Sequence, residues 1–267
     1  HDSVYYEMFY QLFKRGLQFA YPIVKPLSLI IVKSWAKSFD AIVGISDGQL
    51  AQIQDLGGRR TIPSVVVPNT RKWSTFEEKE VSTQIENQPV NVGWMGQVMK
   101  GRDLDEICKV VKNAEDIVFH VFGDVKDEHY VLKMKTELGD KIHYYGAFTS
   151  DHDVEAQLPP GLIGIFLGWP DPAKTNINPI ASPNKYYSYL NIGVPVMVGS
   201  KMTQLAAEVM QFGAGESLDT PDEIVSKARI IANDYVSKKE GVGRLKQRYI
   251  ENDPEPGYRS MIRKLIK

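Results

Sequence analysis

Cations, glycine turns and a helix start mark a few places in this sequence where an anion could be held. The clearest is Ser182-Pro183-Asn184-Lys185. A serine caps a helix by accepting from an otherwise unpaired backbone N–H, and proline fits the first helical position because its missing N–H would have no partner there. A helix is therefore expected from Pro183 to Ile192. Its N-terminal N–H groups, reinforced by Lys185, make an anion site. The second place is Gly96-Gln97-Val98-Met99-Lys100-Gly101-Arg102, with two glycines and two cations suited to a phosphate. Gly123-Asp124 and Gly146-Ala147-Phe148 add further glycine turns. Gly168 to Ser182 is a long segment carrying Trp169, Asp171, Lys174, Asn176 and Asn178, and long loops at strand ends are commonly functional.

Other chemistries have little to stand on. The sequence holds no paired metal ligands, no nucleophile elbow and no Gly-x-Gly-x-x-Gly. His120 and His143 lie inside apolar runs and read as satisfied interior or surface residues. Asp47, Asp127 and Asp151 read as helix-start residues rather than acids in catalysis.

These turns need elements to carry them. Strand-like apolar runs are expected at Val90 to Met95, Ile117 to Phe122, Ile142 to Tyr145, Ile163 to Leu167, Val194 to Val198 and Gly215 to Leu218, each apolar on both faces. Helical patterns lie between them at Asp103 to Lys112, Asp127 to Leu138, Asp151 to Gln157, Pro183 to Ile192 and Lys201 to Phe212. Thr220-Pro221-Asp222-Glu223 is a capping box that opens a further helix towards Tyr235. The alternation predicts an α/β fold with a Rossmann-like, doubly wound parallel sheet, in which ligands bind at the carboxyl ends of the strands. Every turn singled out above sits at that edge.

Before it comes a partial remnant of helix and strand. Phe39 to Ser46 reads as a buried strand, Asp47 to Asp55 as a helix and Val65 to Asn69 as another short strand. Residues 4 to 37 mix aromatics and aliphatics with Lys14, Arg15, Lys25, Lys33 and Lys37, and read as one or two amphipathic helices broken near Pro22 to Pro26. Two readings stand for them: helices packed on a neighbour, or a basic, aromatic face lying on an anionic membrane. The expected division is 1–69, a polar linker at 70–88, the main sheet at 89–234 and helices at 235–267.

The 267 residues are 43% apolar and 24% charged with a formal net charge of -1, an ordinary globular balance. The basic residues are dispersed, which argues against nucleic-acid binding. Cys108, the single cysteine, cannot form an internal disulfide and reads as a small core residue, in keeping with a reducing compartment. The longest apolar stretch, Leu17 to Val32, is interrupted by Pro22, Lys25 and Pro26, so it is not expected to span a bilayer.

With these residues in view, the chain resembles the group 1 glycosyltransferases of GT-B architecture, in which two Rossmann-like domains face each other across a cleft. Phe39-Asp40-Ala41-Ile42-Val43-Gly44-Ile45-Ser46 is similar to the last strand of the acceptor-side domain, and Val67-Pro68-Asn69 to the entry of the interdomain linker. Gly93-Trp94-Met95-Gly96-Gln97 with Lys100-Gly101 resembles the phosphate-contacting turn, and Val121-Phe122-Gly123-Asp124 the next strand end. Ser182-Pro183-Asn184-Lys185 through Gly193-Val194-Pro195-Val196 resembles the helix and strand that cradle the nucleotide.

The resemblance implies a sugar-nucleotide donor on 89–234, a glycan or lipid-linked acceptor, and no bound metal or cofactor. The leaving diphosphate would be neutralised by preorganised donors: Lys100, the N–H groups of Gly96 and Gln97, and the helix start at Pro183. The implied donor-site set is Gly96, Gln97, Lys100, Arg102, Gly123, Asn176, Asn178, Ser182, Asn184, Lys185 and Ser188, with no catalytic base identified. It also implies hexose transfer in the cytoplasm or at the membrane inner face, and an amino-terminal half before His1. Three positions depart from the family pattern. Gln97 stands where many members have arginine, with Arg102 nearby, while Ile180 and Ser188 stand where many have glutamates eight positions apart, so that Asn176 or Asn178 would have to serve. A sugar-nucleotide epimerase of the same build and a non-catalytic nucleotide- or glycan-binding module remain as alternatives.

Overall fold

The computed structural model describes residues 18–57, 62–67, 73, 88–99, 103–125, 127–168 and 183–265. In chain order they form α1 (Tyr21–Ala36), β1 (Ile42–Gly44), α2 (Asp47–Gly57), β2 (Ser64–Val66), β3 (Val90–Met95), α3 (Leu104–Asn113), β4 (Ile117–Phe122), α4 (Glu128–Leu138) and β5 (Ile142–Gly146). They continue with α5 (Asp151–Glu155), β6 (Ile163–Phe166), α6 (Asn184–Asn191), β7 (Val196–Gly199), α7 (Thr203–Phe212), β8 (Gly215–Leu218), α8 (Ile224–Asn233), α9 (Tyr235–Glu251) and α10 (Glu255–Leu265). The chain divides into two compact units, one of 1–70, 170–183 and 251–267, the other of 71–169 and 184–250. No helix among the described residues is long and apolar enough to cross a membrane.

In the first unit β1 and β2 pair in parallel, Ile42 with Ser64 to Gly44 with Val66. Ser46 Oγ accepts from Gln49 N at 3.1 Å and so starts α2. A Cβ on Gly44 would lie 3.0 Å from Leu50 Cβ, so the absence of a side chain lets α2 close on β1. Two expectations need correction. The strand is three residues long and half-buried, with Ile42 and Gly44 inside but Val43 45% exposed. Helix α1 also runs unbroken through Pro22 and Pro26. Pro22 sits in the first turn, where the N–H groups have no partner, whereas Pro26 lies inside the helix and leaves the carbonyl of Pro22 without its helical bond. At the other end of the chain, α10 packs on β2.

In the second unit six parallel strands lie in the order β5-β4-β3-β6-β7-β8. The first three go one way from β3 and the last three the other, so the order reverses between β3 and β6, where open sheets place ligands. Val92, Phe119 and Ile165 face Leu104 and Ile107 of α3 and Ile231 of α8 across a core from which water is excluded. Burial of each such side chain contributes about 2 kcal/mol. Cys108 lies in that core as expected, and burial pushes its thiol up to about 12. Helix starts also follow the sequence. Asp127 accepts from Tyr130 N at 3.3 Å, and Glu223 reaches back to Thr220 N at 3.3 Å, closing the capping box ahead of α8.

The strands are not apolar on both faces throughout. Asn91, His120 and Tyr145 share the face opposite that core and bond to one another. Asn91 Nδ2 donates to Pro160 O at 2.8 Å, so its Oδ1 faces His120 Nε2 at 2.9 Å and accepts from it. Nδ1 of the ring then accepts from Tyr145 OH at 2.9 Å. The chemistry of the two partners thus fixes a neutral tautomer, and burial, followed by the neighbouring His143, lowers the imidazole from 6.5 to about 4. Glu216 of β8 is likewise buried, held by Lys238 at 2.7 Å and Lys227 at 3.1 Å.

Candidate functional site

The turn after β3 is shaped by glycine at two levels. Gly96 has φ 135°, a region that side chains resist, and a Cβ there would stand 3.3 Å from Trp94 Cη2 and 3.7 Å from Lys185 Nζ. A Cβ on Gly123 would fall 1.6 Å from Gly96 O, so the two strand ends touch backbone to backbone. The chain then keeps pairing beyond the strands, with Val98 N donating to Asp124 O at 2.8 Å.

This pairing corrects one expected role. Gly96 N–H donates to Phe122 O at 2.9 Å and is committed inside the sheet, so it cannot serve an anion. Gly123 N–H is committed as well, to Gly146 O at 2.8 Å, and its carbonyl accepts from Tyr144 OH at 2.8 Å. The two glycines supply room and close approach rather than donors. Gln97 remains exposed in the turn.

Helix α6 delivers Lys185 to the same spot. Its Nζ stands 4.0 Å from the centre of the Trp94 ring and 5.2 Å from that of Phe166, so a cation in the first turn of α6 lies over the ends of β3 and β6. Asn184 is exposed one residue earlier, and Pro183 precedes the helix rather than opening it. Ser188, one turn on, is only 4% exposed. Gly96, Gln97, Asn184 and Lys185 are therefore brought to the carboxyl edge of the sheet, Gly123 supports it, and Ser188 is inside. Lys100, Arg102, Asn176, Asn178 and Ser182 lie outside the described residues.

Three residues at this edge were not singled out as functional from the sequence. Asp103 reads there as a helix start, yet it makes no cap bond; its Oδ2 accepts instead from Leu167 N at 3.1 Å and Gly168 N at 3.4 Å at the end of β6. Tyr189 lays its ring on Gly164, where a Cβ would be 2.6 Å from its Cδ1, and sends its hydroxyl between β3 and β6. Trp94 forms the floor under Lys185. Among the described residues, Trp94 Nε1 and Asp103 Oδ1 are buried side-chain polar atoms with no hydrogen-bond partner. No local signal betrays these roles, because the partners are distant in sequence.

Behind α6 a second cluster anchors α9. Glu208 of α7, buried, accepts from Tyr186 OH at 3.3 Å and from Tyr249 OH, with Arg248 3.8 Å away. Trp73 stacks on Tyr249 at 5.8 Å between ring centres and meets Tyr187 edge-on at 6.4 Å. An aromatic residue of the expected linker thus docks on the sheet unit.

No protein-family model matches the chain, and neither does any curated protein sequence. Solved structures do match. HepE of Anabaena, solved in complex with UDP, superposes with a TM-score of 0.64 at 10% identity, over 90% of this chain and 67% of its own. The fold is GT-B. Sucrose-phosphate synthase of Thermosynechococcus elongatus shares it at a TM-score of 0.57 and 12% identity, over 88% of this chain and 62% of its own. So does a glycosyltransferase from Rickettsia africae, at a TM-score of 0.56 and 12% identity, over 84% and 66%. The chain spans 66% of the HepE chain solved with UDP and glucose, so the match covers about two thirds of a GT-B protein. The α/β expectation, the Rossmann-like sheet and the resemblance to GT-B glycosyltransferases agree with this likeness, which at such identities concerns the GT-B fold itself.

Proposed function

We propose that this chain binds a nucleoside diphosphate sugar at the carboxyl edge of the six-stranded sheet, and that it is the donor-binding part of a glycosyltransferase. The observation that carries the reading is Lys185. Its ammonium group stands in the first turn of α6, over the glycine turn of β3, where the sheet order reverses. There the cation, the helix N-terminus and the exposed turn at Gln97 would share the charge that develops on a leaving diphosphate. Preorganised charge of this kind supports a metal-independent transfer of a hexose to a glycan or lipid-linked acceptor. HepE, with the same fold, has been solved with UDP-glucose, which supports a nucleotide-sugar donor.

A screen of uridine, guanosine and thymidine diphosphates by thermal shift tests this. At least one should raise the melting temperature in proportion to the logarithm of its concentration; no shift with any of them would overturn the reading. A non-catalytic nucleotide-binding module is the second reading. It is favoured by Ser188, a neutral, buried residue at a position where the family resemblance calls for a carboxylate.

The membrane-facing part of the proposal rests on α1. Ile23, Leu27, Ile30 and Ile31 are spaced along one face of α1 and are 69%, 57%, 66% and 51% exposed, and Phe19, in the 3-10 turn Gln18–Ala20 just before it, is 75% exposed. No acidic residue interrupts the helix, and Lys33 and Lys37 lie exposed at its end. Such a face suits the surface of an anionic membrane, and with it a lipid-linked acceptor at the cytoplasmic side.

A further inference from the structure

The two halves of the main sheet are joined by a short seam. β3 and β4 pair over six residues, Val90 with Ile117 to Met95 with Phe122, whereas β3 and β6 pair only at Val92 with Ile163 and Gly93 with Gly164. Trp94 and Met95 then remain before the glycine turn; both still pair with β4, but towards β6 Met95 N–H has no ladder partner, and a buried N–H left unpaired costs about 1–3 kcal/mol. It is not left unpaired. Tyr189 OH, fully buried, accepts from Met95 N at 3.0 Å and lies 3.0 Å from Gly93 O and 3.3 Å from Ile165 O. One hydroxyl proton serves the two carbonyls in turn, and burial keeps the phenol protonated by pushing its pKa up.

The geometry points to Tyr189 as a positioning residue, a wedge that takes the place of the missing ladder at the switch point and sets the Gly96-Gln97 turn for the diphosphate. Several facts converge on it. The hydroxyl bonds both strands at once, and its donor on β3, Met95 N, is two residues ahead of Gln97. Gly164 has no side chain where the ring passes, and any Cβ there would overlap it. Lys185 lies one turn before Tyr189 on the same helix, so the cation and the wedge are carried by one element. On the other strand, Asp103 ties down Leu167 N and Gly168 N, the β6 side of the same gap. The inferred effect on ligand rests on the nucleotide reading above, while the effect on the turn does not.

The test compares Tyr189→Phe with Tyr235→Phe. Tyr235 is a buried tyrosine whose OH donates to Leu162 O at 3.0 Å, just ahead of the amino end of β6, so its loss weakens the same strand away from the turn. Amide hydrogen exchange is measured first, on the ligand-free full chain. Tyr189→Phe should speed exchange at Met95 to Val98 by roughly tenfold or more, and Tyr235→Phe should not. Unchanged exchange at Met95 in Tyr189→Phe would overturn the wedge whatever the chain binds. Calorimetry then uses the tightest binder among uridine, guanosine and thymidine diphosphates, with its nucleoside as the control. Tyr189→Phe should weaken the diphosphate about tenfold and leave the nucleoside unchanged, with Tyr235→Phe like wild type. Equal binding by the two variants, with exchange altered as expected, would overturn the link from the wedge to the diphosphate. Failure of wild type to bind any diphosphate would overturn the nucleotide reading and leave the exchange result to decide the wedge.

Discussion

His120 shows how a single residue can be read from its partners. Both ring nitrogens are bonded, and the native state binds a proton only near pH 4, against 6.5 for the unfolded chain. The unfolded state therefore takes up the proton first as pH falls, and the stability this residue confers is complete above pH 6.5 and lost through the window from 6.5 to 4. The loss should reach about 3 kcal/mol. Urea midpoints of wild type and His120→Gln, measured at pH 7 and pH 4.5, should show a distinctly steeper acid loss in wild type; parallel losses would refute it. From sequence His120 reads as a satisfied residue, and it is one. Its partners Asn91 and Tyr145 were not legible, since the bonds join three different strands. Tyr189 and Asp103 were hidden for the same reason, their bonds spanning 94 and 64 residues. The glycine at 96 was legible as a turn, but the commitment of its N–H to Phe122 O was not, because that follows from strand register.

At the scale of elements the sequence spoke more clearly. Three strands, β3, β4 and β8, have the predicted ends, and the helices between strands differ by one or two residues at most of their ends. The reason is that a strand buried on both sides leaves an unbroken apolar run, and a glycine or a capping residue closes it. The strand expected from Val194 begins at Val196 instead, since Pro195 has no N–H for a ladder and enters only through its carbonyl, which accepts from Gly164 N at 2.8 Å. The break expected near Pro22 to Pro26 does not occur, since Pro22 falls where N–H groups have no partner and Pro26 inside the helix removes a single bond. The continuous α1 sharpens the membrane proposal, because one helix now carries one apolar face. Vesicles containing anionic phosphatidylglycerol should carry the chain upward on flotation, with less bound at high salt. Replacing Ile23 and Ile30 together by aspartate should cut the bound fraction several-fold. Absence of salt-sensitive binding by the parent chain would sink the idea.

For the molecule as a whole, alternation of strand and helix predicted the sheet, and its strand order supplies the point of reversal that the sequence could not show. The expected boundaries at 69, 88 and 234 compare with two compact units, the first of which also gathers 170–183 and 251–267. Composition has no handle on such returns of the chain, which depend on tertiary packing. At the carboxyl edge of the larger unit a cation on α6 overlies the glycine turn of β3. Calorimetric titration with uridine diphosphate and with uridine, on wild type and Lys185→Ala, tests whether that cation holds a diphosphate. Lys185→Ala should weaken the diphosphate by about tenfold to a hundredfold and the nucleoside little, as for a lost charge-assisted contact to phosphate. Equal loss for both ligands, or no loss for either, would contradict it.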